Sequence, residues 1–514
     1  MRTSTVAALA LGALLLGAGC AAVGPDYERP PLTVPRAMPE AAGAAAVEST
    51  SIHLTAGAPW DRWWKVFKDP RLDALIEDAR ACNYDIRAAV ARVHAARAVV
   101  RQSFAPLLPQ IGATSQYVYQ KQAPNAILLS PATGTTGGSV GGTGGGTGAA
   151  PVTGFTFSGQ PFQLWSGTAD MSYELDLWGR IRRGLEAAES DAAATEEDTH
   201  NIQITQFGEV ANAYFDLGEA DAEIAITTDA VTLRERSLDL VRGRYDAGLA
   251  PELELRRAEA ELARARAEVP EAERRRALAA HRLAILTGRM PDVKFAGRPP
   301  AAFDLPPEVP VGIPAALLER RPDIRAAELR VRANNARIGA AIAQFFPSVT
   351  IAGRFGYASL DASTLTQPGG QLWAIGPSIR IPIFEGGLTY ARLLEAEART
   401  DEATAQFYGA VLTAFREVAD AIASLSAHER VRDHQREQVV ASERAVELAT
   451  IEYDQGLTNY LQVLDAQREL LTARLALVQA QRQLLTDIVS LQKALGGGWT
   501  DVPADAWTPT KSGT

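Results

Sequence analysis

Two long stretches of this chain carry an apolar residue at nearly every seventh position and contain no proline. Between residues 183 and 245, the repeated positions are Val210, Leu217, Ile224, Val231, Leu238 and Tyr245. The second run, interrupted by Arg432, comprises Val411, Val418, Leu425, Val439, Val446 and Tyr453. A heptad repeat of this length specifies coiled-coil packing, and about 63 residues rising ~1.5 Å each make a helix of roughly 95 Å. Such helices exceed what an ordinary globular domain needs.

The two stretches belong to an internal duplication with an offset of 208 residues. The segment FGEVANA at 207–213 returns as FREVADA at 415–421, and YDAGLAPEL at 245–253 returns as YDQGLTNYL at 453–461. Self-similarity at a fixed offset indicates two copies of one structural unit.

A second helix is predicted after each Tyr-Asp-x-Gly-Leu turn, at about 251–286 and 459–495. Gly248 and Gly456 favour the left-handed backbone conformation that ends a helix. Each copy therefore predicts an antiparallel helical hairpin, which fits either a solid coiled coil or a curved wall of helices. A further helix is predicted from about Pro70 to Phe104, where apolar residues recur at three- and four-residue spacing.

Segments that alternate apolar and polar residues precede the long helices. They lie at about 110–119, 168–178, 348–359 and 372–384. Strands of about ten residues cross a bilayer when tilted, although the same alternation fits a soluble sheet with one wet face. If the apolar faces meet lipid, the acidic face of the second strand lines a lumen and predicts a modest cation preference. The acidic side chains of that face are Asp170, Glu174 and Asp176.

The N-terminus predicts export and lipidation. Arg2 precedes an apolar run at 6–16 and then GAGC at 17–20, so residues 1–19 are interpreted as a signal peptide. The small residues before Cys20 resemble the lipobox of bacterial lipoproteins, in which the cysteine becomes the acylated first residue. An ordinary signal peptide that contains a cysteine is the alternative. Export and a lipid anchor favour an outer-membrane role for the strands.

Four strands cannot close a barrel by themselves. An open edge inside a bilayer leaves backbone groups unpaired at several kcal/mol each, so several chains must complete the barrel together. Because the smallest transmembrane barrels have about eight strands, at least a dimer is predicted. The Gly- and Thr-rich tract Gly134–Gly148 predicts a flexible surface loop between the first two strands.

Charge and motifs argue against other classes of protein. The net charge of −10, with no basic stripe, is not typical of a nucleic-acid protein. The chain contains no phosphate-binding glycine motif and no HExxH sequence, and His428 and His434 do not suggest a metal pair. An enzyme is therefore not predicted. A lipid-anchored periplasmic coiled-coil adaptor or scaffold without a channel remains the alternative, since it would explain the helices but not the strands.

Paired strands, long helices and duplicated turns in this order resemble the TolC-like outer-membrane efflux proteins. The resemblance is closest to the lipoprotein branch that serves resistance-nodulation-division pumps, and it covers nearly all of the mature chain. The motifs that carry it are GPDYERP at 24–30, LLERRPDIRAAE at 317–328, FFPSV at 345–349, LDAQR at 464–468 and KALGGGW at 493–499.

The resemblance implies a mainly helical fold with a membrane β part. Three copies would form a twelve-stranded transmembrane β-barrel continuous with a twelve-helix periplasmic tunnel. The implied function is a passive exit duct for small molecules such as drugs, toxic compounds or metal ions. An inner-membrane resistance-nodulation-division pump would deliver them through a periplasmic adaptor. No catalytic residue and no cofactor is implied, apart from the covalent N-acyl and diacylglycerol lipid on Cys20.

The two hairpin turns are the implied surface of adaptor contact. The residues concerned are Gly248, Leu249, Gly456, Leu457 and Thr458. This assignment places a partner at the end of each hairpin far from the membrane.

A gate is implied just inside the Gly456 turn. Leu461 and Asp465 occupy the positions of the constricting Leu and Asp in relatives with the pattern YLxxLDAQ. Three Asp465 carboxylates around a symmetry axis would repel one another, so the closed state needs other contacts, for which Tyr453 and Arg468 are the nearest polar candidates. The alternatives are a coiled-coil core role for Leu461 and a favourable helix-dipole interaction for Asp465.

These assignments divide the chain into six parts. They are a signal peptide at 1–19, an extended and equatorial segment at 20–69, a first efflux repeat at 70–287, a linker at 288–315, a second efflux repeat at 316–496 and a tail at 497–514.

Overall fold

The computed structural model of this chain describes residues 22–32, 53–55, 61–121, 161–306, 308–310 and 318–499. The chain forms two compact units, each assembled from three segments. The first unit comprises Met1–Arg29, Ala95–Ala192 and Leu329–Thr404, and the second comprises Pro30–His94, Ala193–Glu328 and Ala405–Thr514. Cys20 and the Gly134–Gly148 tract lie outside the described residues.

Helices and strands follow the order that the duplication predicts. The strands are β1 (His53–Thr55), β2 (Gln110–Lys121), β3 (Pro161–Leu175), β4 (Glu308–Pro310), β5 (Ser348–Ser359) and β6 (Gln371–Arg380). The main helices are α1 (Pro70–Cys82), α2 (Tyr84–Phe104), α3 (Arg180–Asp246), α4 (Glu252–Leu286), α5 (Pro322–Ala343), α6 (Leu388–Asp454) and α7 (Tyr460–Ala494).

Four strands form one antiparallel sheet in the first unit, in the order β2-β3-β5-β6. The register pairs Ile111 with Met171 and Asp170 with Arg354. Opposed residues in neighbouring strands point to the same side of the sheet, so one face is apolar and the other polar. The alternation predicted from the sequence is therefore confirmed. In the second unit, β1 and β4 form a separate parallel pair.

The second predicted strand, 168–178, was wrong at both ends, because β3 begins at Pro161 and stops at Leu175. Asp176 lies beyond the strand, where its carboxylate accepts hydrogen bonds from the backbone N–H groups of Ile181 (3.1 Å) and Arg182 (2.9 Å). The first N–H groups of a helix have no partner within it, so a carboxylate at this position stabilises the start of α3.

The fourth predicted strand, 372–384, was too long, because β6 ends at Arg380. Pro382 follows two residues later and has no N–H to donate to a strand ladder. The apolar alternation continues through this proline, which explains the overestimate.

The duplication is confirmed in the helices. Both α3 and α6 contain 67 residues, both α4 and α7 contain 35, and each pair is related by the 208-residue offset. Within the described part of the chain, no helix is long and apolar enough to cross a membrane.

The single helix predicted from 70 to 104 was wrong, because the chain breaks at Asn83 between α1 and α2. The Asn83 side-chain oxygen accepts from the N–H groups of Asp85 (2.8 Å) and Ile86 (3.1 Å), as an N-cap does. Its amide nitrogen donates to the carbonyl of Leu286 at 2.8 Å. Asn83 therefore starts α2 and joins it to the end of α4, an interaction that apolar periodicity does not reveal.

An aromatic cluster forms the core of the second unit. Trp64 packs edge-on against Phe207 of α3 at 5.5 Å, and Phe67 packs against Phe215 at 5.2 Å. All four rings are buried. Since burying one such side chain contributes roughly 2–3 kcal/mol, this cluster anchors the N-terminal segment of the unit on the long helix.

Each hairpin helix ends at a glycine with a left-handed backbone. Gly248 (φ 75°) and Gly456 (φ 76°) end α3 and α6, as the sequence predicts. In both turns the glycine N–H and the following N–H bond back to the last helical turn, from Leu249 to Arg244 at 2.8 Å and from Leu457 to Glu452 at 2.9 Å. This is the Schellman closure, which satisfies carbonyls that the helix leaves free.

The glycine that ends α4 has an additional steric role, which gives a stability prediction. Gly288 has φ 70°, and a Cβ added there would lie 2.3 Å from the Cys82 carbonyl oxygen, whereas a Cβ at Gly248 meets nothing within 4 Å. Both substitutions to alanine cost about 1 kcal/mol of backbone strain. We expect Gly288→Ala to cost at least ~3 kcal/mol in total, because something must also move away from the new methyl group.

The stability of the two variants can be compared by their thermal midpoints of helix loss, which circular dichroism in detergent measures. Gly248→Ala is the matched control, since it shares the strain without the contact. Equal shifts in the two variants would contradict the steric role of Gly288.

Candidate functional site

The two hairpin turns expose the residues that were predicted to meet a partner. Leu249 is 69% exposed and Leu457 is 74% exposed. Gly248 and Gly456 are exposed and Thr458 is half-buried. Because most of the surface of each leucine side chain is in solvent, these side chains are available for an apolar contact.

A buried cluster holds the two hairpins against each other just above their turns. The first hairpin (α3 and α4) and the second hairpin (α6 and α7) both contribute to it. Its residues are Leu238, Val241, Leu255, Ala258, Leu262, Tyr453, Tyr460, Val463 and Leu464. Leu461 lies outside this cluster and is 39% exposed. Its neighbours along α7 therefore form the apolar core, and Leu461 faces away from it.

Tyr453, one of the predicted closing residues, ties the second hairpin to the first. Its ring is buried and its hydroxyl donates to a carboxylate oxygen of Glu254 on α4 at 3.0 Å. Burial raises the pKa of the Tyr453 hydroxyl, and the hydrogen bond to Glu254 raises it further. The phenol therefore remains a neutral donor throughout the physiological pH range.

Arg244 makes a second tie that sequence reasoning missed. Its Nη1 donates to the carbonyls of Tyr453 (2.9 Å) and Asp454 (3.1 Å), and its guanidinium lies 4.8 Å from the centre of the Tyr453 ring. A cation at the carbonyl end of a helix is favourable, so Arg244 caps α6 from the neighbouring hairpin. A basic residue in the last turn of α3 was the available signal, but nothing in the sequence places it beside α6.

Arg468, the other predicted closing residue, forms an ion pair with Glu261 of α4. Burial alone would raise the pKa of Glu261, but the hydrogen bond and charge of Arg468 lower it below its ordinary value. Asp465 lies one turn before Arg468, with 3.9 Å between the nearest charged atoms, and its side chain is 59% exposed. Asp465 is thus solvated, while Glu261 depends on its arginine.

The carboxylates predicted to line a lumen are all paired with arginines. Asp170 lies 2.5 Å from Nε of Arg354 on the neighbouring strand. Glu174 accepts from Nη2 of Arg180 with both oxygens, at 2.8 and 2.7 Å.

Asp176 binds Arg182 at 3.3 Å in addition to the backbone N–H groups of α3. The acidic pattern of the strand therefore overstates the net charge of this face, because the compensating cations come from other segments.

The two histidines singled out from the sequence, His428 and His434, lie in the described part of the chain. No three His, Cys, Asp or Glu side chains there are grouped as metal ligands. His428 binds the buried Asp487, with 2.6 Å between Nδ1 and Oδ2, and His434 lies 3.3 Å from Glu437. The two histidines thus have separate acidic partners.

The sequence matches one protein family over most of its length. The family described as outer membrane efflux protein matches residues 75–289 and 313–497. The chain is 34% identical to the outer membrane protein OprJ of Pseudomonas aeruginosa, with 96% of this chain and 97% of that protein covered. It is 32% identical to the toluene efflux pump outer membrane protein TtgF of Pseudomonas putida, covering 95% and 96%.

Solved structures with the same fold support this relationship. The outer-membrane channel OprN superposes with a TM-score of 0.79 at 32% identity, covering 93% of this chain and 99% of that one. The open state of the Neisseria gonorrhoeae MtrE outer membrane channel superposes with a TM-score of 0.76 at 29% identity, covering 93% and 98%.

The alternative of an adaptor or scaffold without a channel is wrong, because these relatives are named as outer-membrane components of efflux pumps and the four-stranded sheet is present.

One conclusion follows from the two helical hairpins, from the sheet with one apolar and one polar face, and from matches over nearly the whole chain. The chain belongs to the outer membrane efflux protein family and is an efflux channel of the outer membrane.

Proposed function

We propose that three copies of this chain form the passive exit duct of a tripartite efflux system. The observation that carries the proposal is the four-stranded sheet, whose edge strands β2 and β6 have no further strand beside them among the described residues. Neighbouring strands run in opposite directions, so β6 of one copy can pair antiparallel with β2 of the next. Closure in this way leaves no unpaired edge in the bilayer. Three copies supply twelve strands.

Exposed side chains on the apolar face support contact with lipid. Ile111, Trp373, Ile375 and Ile379 are all exposed on strands at the two edges of the sheet. A soluble protein rarely leaves so large an apolar surface in water. In the closed barrel these residues face the acyl chains, and Asp170 and Glu174 line the lumen together with Arg354.

The duct itself supplies no catalysis and needs no cofactor in this proposal. After removal of residues 1–19, Cys20 carries the lipid that anchors the chain to the membrane. The two efflux repeats at 70–287 and 316–496 form the channel, an assignment supported by the family matches at 75–289 and 313–497. Residues 20–69, 288–315 and 497–514 connect and flank them.

An adaptor and an inner-membrane pump of the resistance-nodulation-division type complete the system. The adaptor contacts the hairpin turns at Gly248, Leu249, Gly456, Leu457 and Thr458. The pump determines the cargo. Relatives of this chain are named after toluene, solvent and antibiotic efflux pumps, so a toxic small molecule is the proposed class of cargo.

The gate lies at Leu461 and Asp465 of the second hairpin. Three Asp465 carboxylates around the axis repel one another, so the closed state depends on contacts that hold the second hairpin to the first. Those contacts are the bonds from Tyr453 to Glu254 and from Arg468 to Glu261. The described arrangement, in which both bonds are made, corresponds to the closed tip.

The proposed channel can be tested by recording from the purified protein in planar bilayers under a salt gradient. Arg354→Gln should shift the reversal potential towards cations, because Asp170 then loses its counter-charge in the lumen. Asp170→Asn should shift it towards anions, because Arg354 is then unpaired. Both variants should still run as an SDS-resistant oligomer until boiled.

Absence of conductance, or of a heat-sensitive oligomer, would overturn the channel itself. Reversal potentials that do not move in either variant would place Asp170 and Arg354 outside the lumen. The paired charges also reduce the cation preference expected of the unmodified channel.

The adaptor contact predicts a loss of efflux from a bulky residue at the turn. Gly456→Trp should leave the oligomer assembled and inserted but abolish drug resistance, because the indole blocks the surface beside Leu457. Gly456→Ala is the control, since it imposes similar backbone strain without the bulk. Full resistance in the tryptophan variant would rule out contact at this turn.

The gate predicts a larger aperture when both of its side chains are shortened. Leu461→Ala combined with Asp465→Ala should raise single-channel conductance and sensitise cells to large antibiotics, with little change in oligomer stability. The duplication offers a matched control, because Leu253 and Arg257 occupy the equivalent positions of the first hairpin. Alanine at both should leave conductance unchanged. The gate lies elsewhere if the two double variants behave alike.

A further inference from the structure

Arg234 of α3 is a buried cation that makes no direct ion pair with any carboxylate of the described residues. It is 4% exposed, and its Nε has no hydrogen-bond partner. Its Nη1 reaches only the carbonyl of Ala230 on its own helix, at 3.3 Å. No carboxylate among the described residues forms an ion pair with it. An unpaired buried charge is costly, so its presence here calls for a function.

On the facing helix α4 of the same hairpin, Glu261 has a carboxylate oxygen that lacks a hydrogen-bond partner. Its side chain is 9% exposed, and Arg468 of the second hairpin binds one of its oxygens. The other oxygen, Oε2, is buried and has no partner. The first hairpin thus holds an unused donor on α3 and an unused acceptor on α4.

The two groups are close enough to interact electrostatically. Burial lowers the pKa of Arg234, and the charges of Glu268 and Glu261 act in the opposite direction. Arg234 in turn helps to lower the pKa of Glu261.

The consequence appears when the second hairpin moves. Arg468 then leaves with α7, and the cations that remain near Glu261 are Arg264 of its own helix, whose side chain is 66% exposed, and the buried Arg234 of α3. Arg234 belongs to the first hairpin and stays behind. We propose that Arg234 is a reserve counter-ion, which pairs with Glu261 when Arg468 withdraws and so stabilises the open tip. This inference rests on the proposed gate, in which Arg468 holds the tip closed.

Other charged and polar groups around Arg234 are less suitable partners. Glu268 is more exposed than Glu261, so water can stabilise its charge, and it already lies 3.8 Å from Arg264 on its own helix. From the second hairpin, Tyr460, Gln467 and Arg468 face this region. Gln467 donates to Ser237 at 2.8 Å, one turn from Arg234, and it too departs with α7. Glu261 is therefore the group that needs Arg234.

With a reserve counter-ion, the tip has two arrangements, closed and open, that each neutralise Glu261. In the closed arrangement Glu261 is paired across the hairpins, and in the open arrangement it is paired within one hairpin. The same carboxylate is neutralised in both states, so opening does not strand a buried charge. Arg234 accordingly acts as a positioning residue for the open state and has no contact with cargo.

The test is the open fraction of single channels in planar bilayers for Arg234→Met, Glu261→Gln and the double variant. Arg234→Met should lower the open fraction about tenfold, because Glu261 loses its open-state partner. In the Glu261→Gln background the same substitution should change the open fraction less than about twofold, because no anion remains to be paired. Arg234→Lys should restore most of the loss.

Glu268→Gln is the matched control on the same helix, and Arg234→Met should keep its full effect in that background. Arg234→Gln is a second neutral variant if methionine impairs assembly, which is read from the SDS-resistant oligomer. The proposal is overturned if Arg234→Met has no effect, or an equal effect with and without Glu261.

Arg468→Ala separates this inference from the gate on which it rests. If that variant leaves the open fraction unchanged, the closing contact itself is misplaced and the proposed gate fails. If it raises the open fraction while Arg234 and Glu261 act independently, only the reserve counter-ion is rejected.

Discussion

Backbone groups inside a bilayer must find partners within protein, and this constraint governs the organisation of the chain. The sheet β2-β3-β5-β6 satisfies its inner strands and leaves one edge on each side. Because the number of strands is even and their directions alternate, the two edges are complementary. A copy of the same chain is therefore the natural partner, and in a closed barrel contact with lipid would place the apolar face of the sheet outward. The membrane part of this protein is shared between copies by physical necessity.

The duplication preserves the backbone of the hairpins while their polar contacts differ. The helices have the same lengths in both copies and end at glycines of the same conformation. The side chains that tie the hairpins are unequal, since Arg244 corresponds to Glu452 and Arg234 corresponds to Ser442 in the second copy. Helix length and turn geometry thus fix where the two hairpins meet. The polar residues at that meeting place decide how firmly they are held.

Periodicity and turn chemistry predict most of the fold, but side-chain contacts between distant segments escape them. The heptads, the Gly248 and Gly456 turns and the strand faces were confirmed because each depends on neighbours in sequence. The helix break at Asn83 and the strand end before Asp176 were misjudged, because each of these polar side chains caps the start of a helix. The arginine partners of Asp170 and Glu261 lie 184 and 207 residues away, so the net charge of their surroundings could not be read locally. Arg244 was missed for the same reason, and the burial of Arg234 depends on packing between helices that the sequence does not show.

The unequal hairpins have a consequence for any ring built from this chain. Three copies would place six helical hairpins of matched length around the ring, with the three of the first repeat alternating with the three of the second. Each first-repeat hairpin contains Arg244, which caps α6 of the second hairpin, and Arg234, whose Nε has no hydrogen-bond partner. In the proposed gate, these first-repeat helices stay in place while the three second-repeat hairpins move. In that proposal the aperture widens by moving half of its wall, and a partner with six identical contacts would bind moving and stationary hairpins in turn.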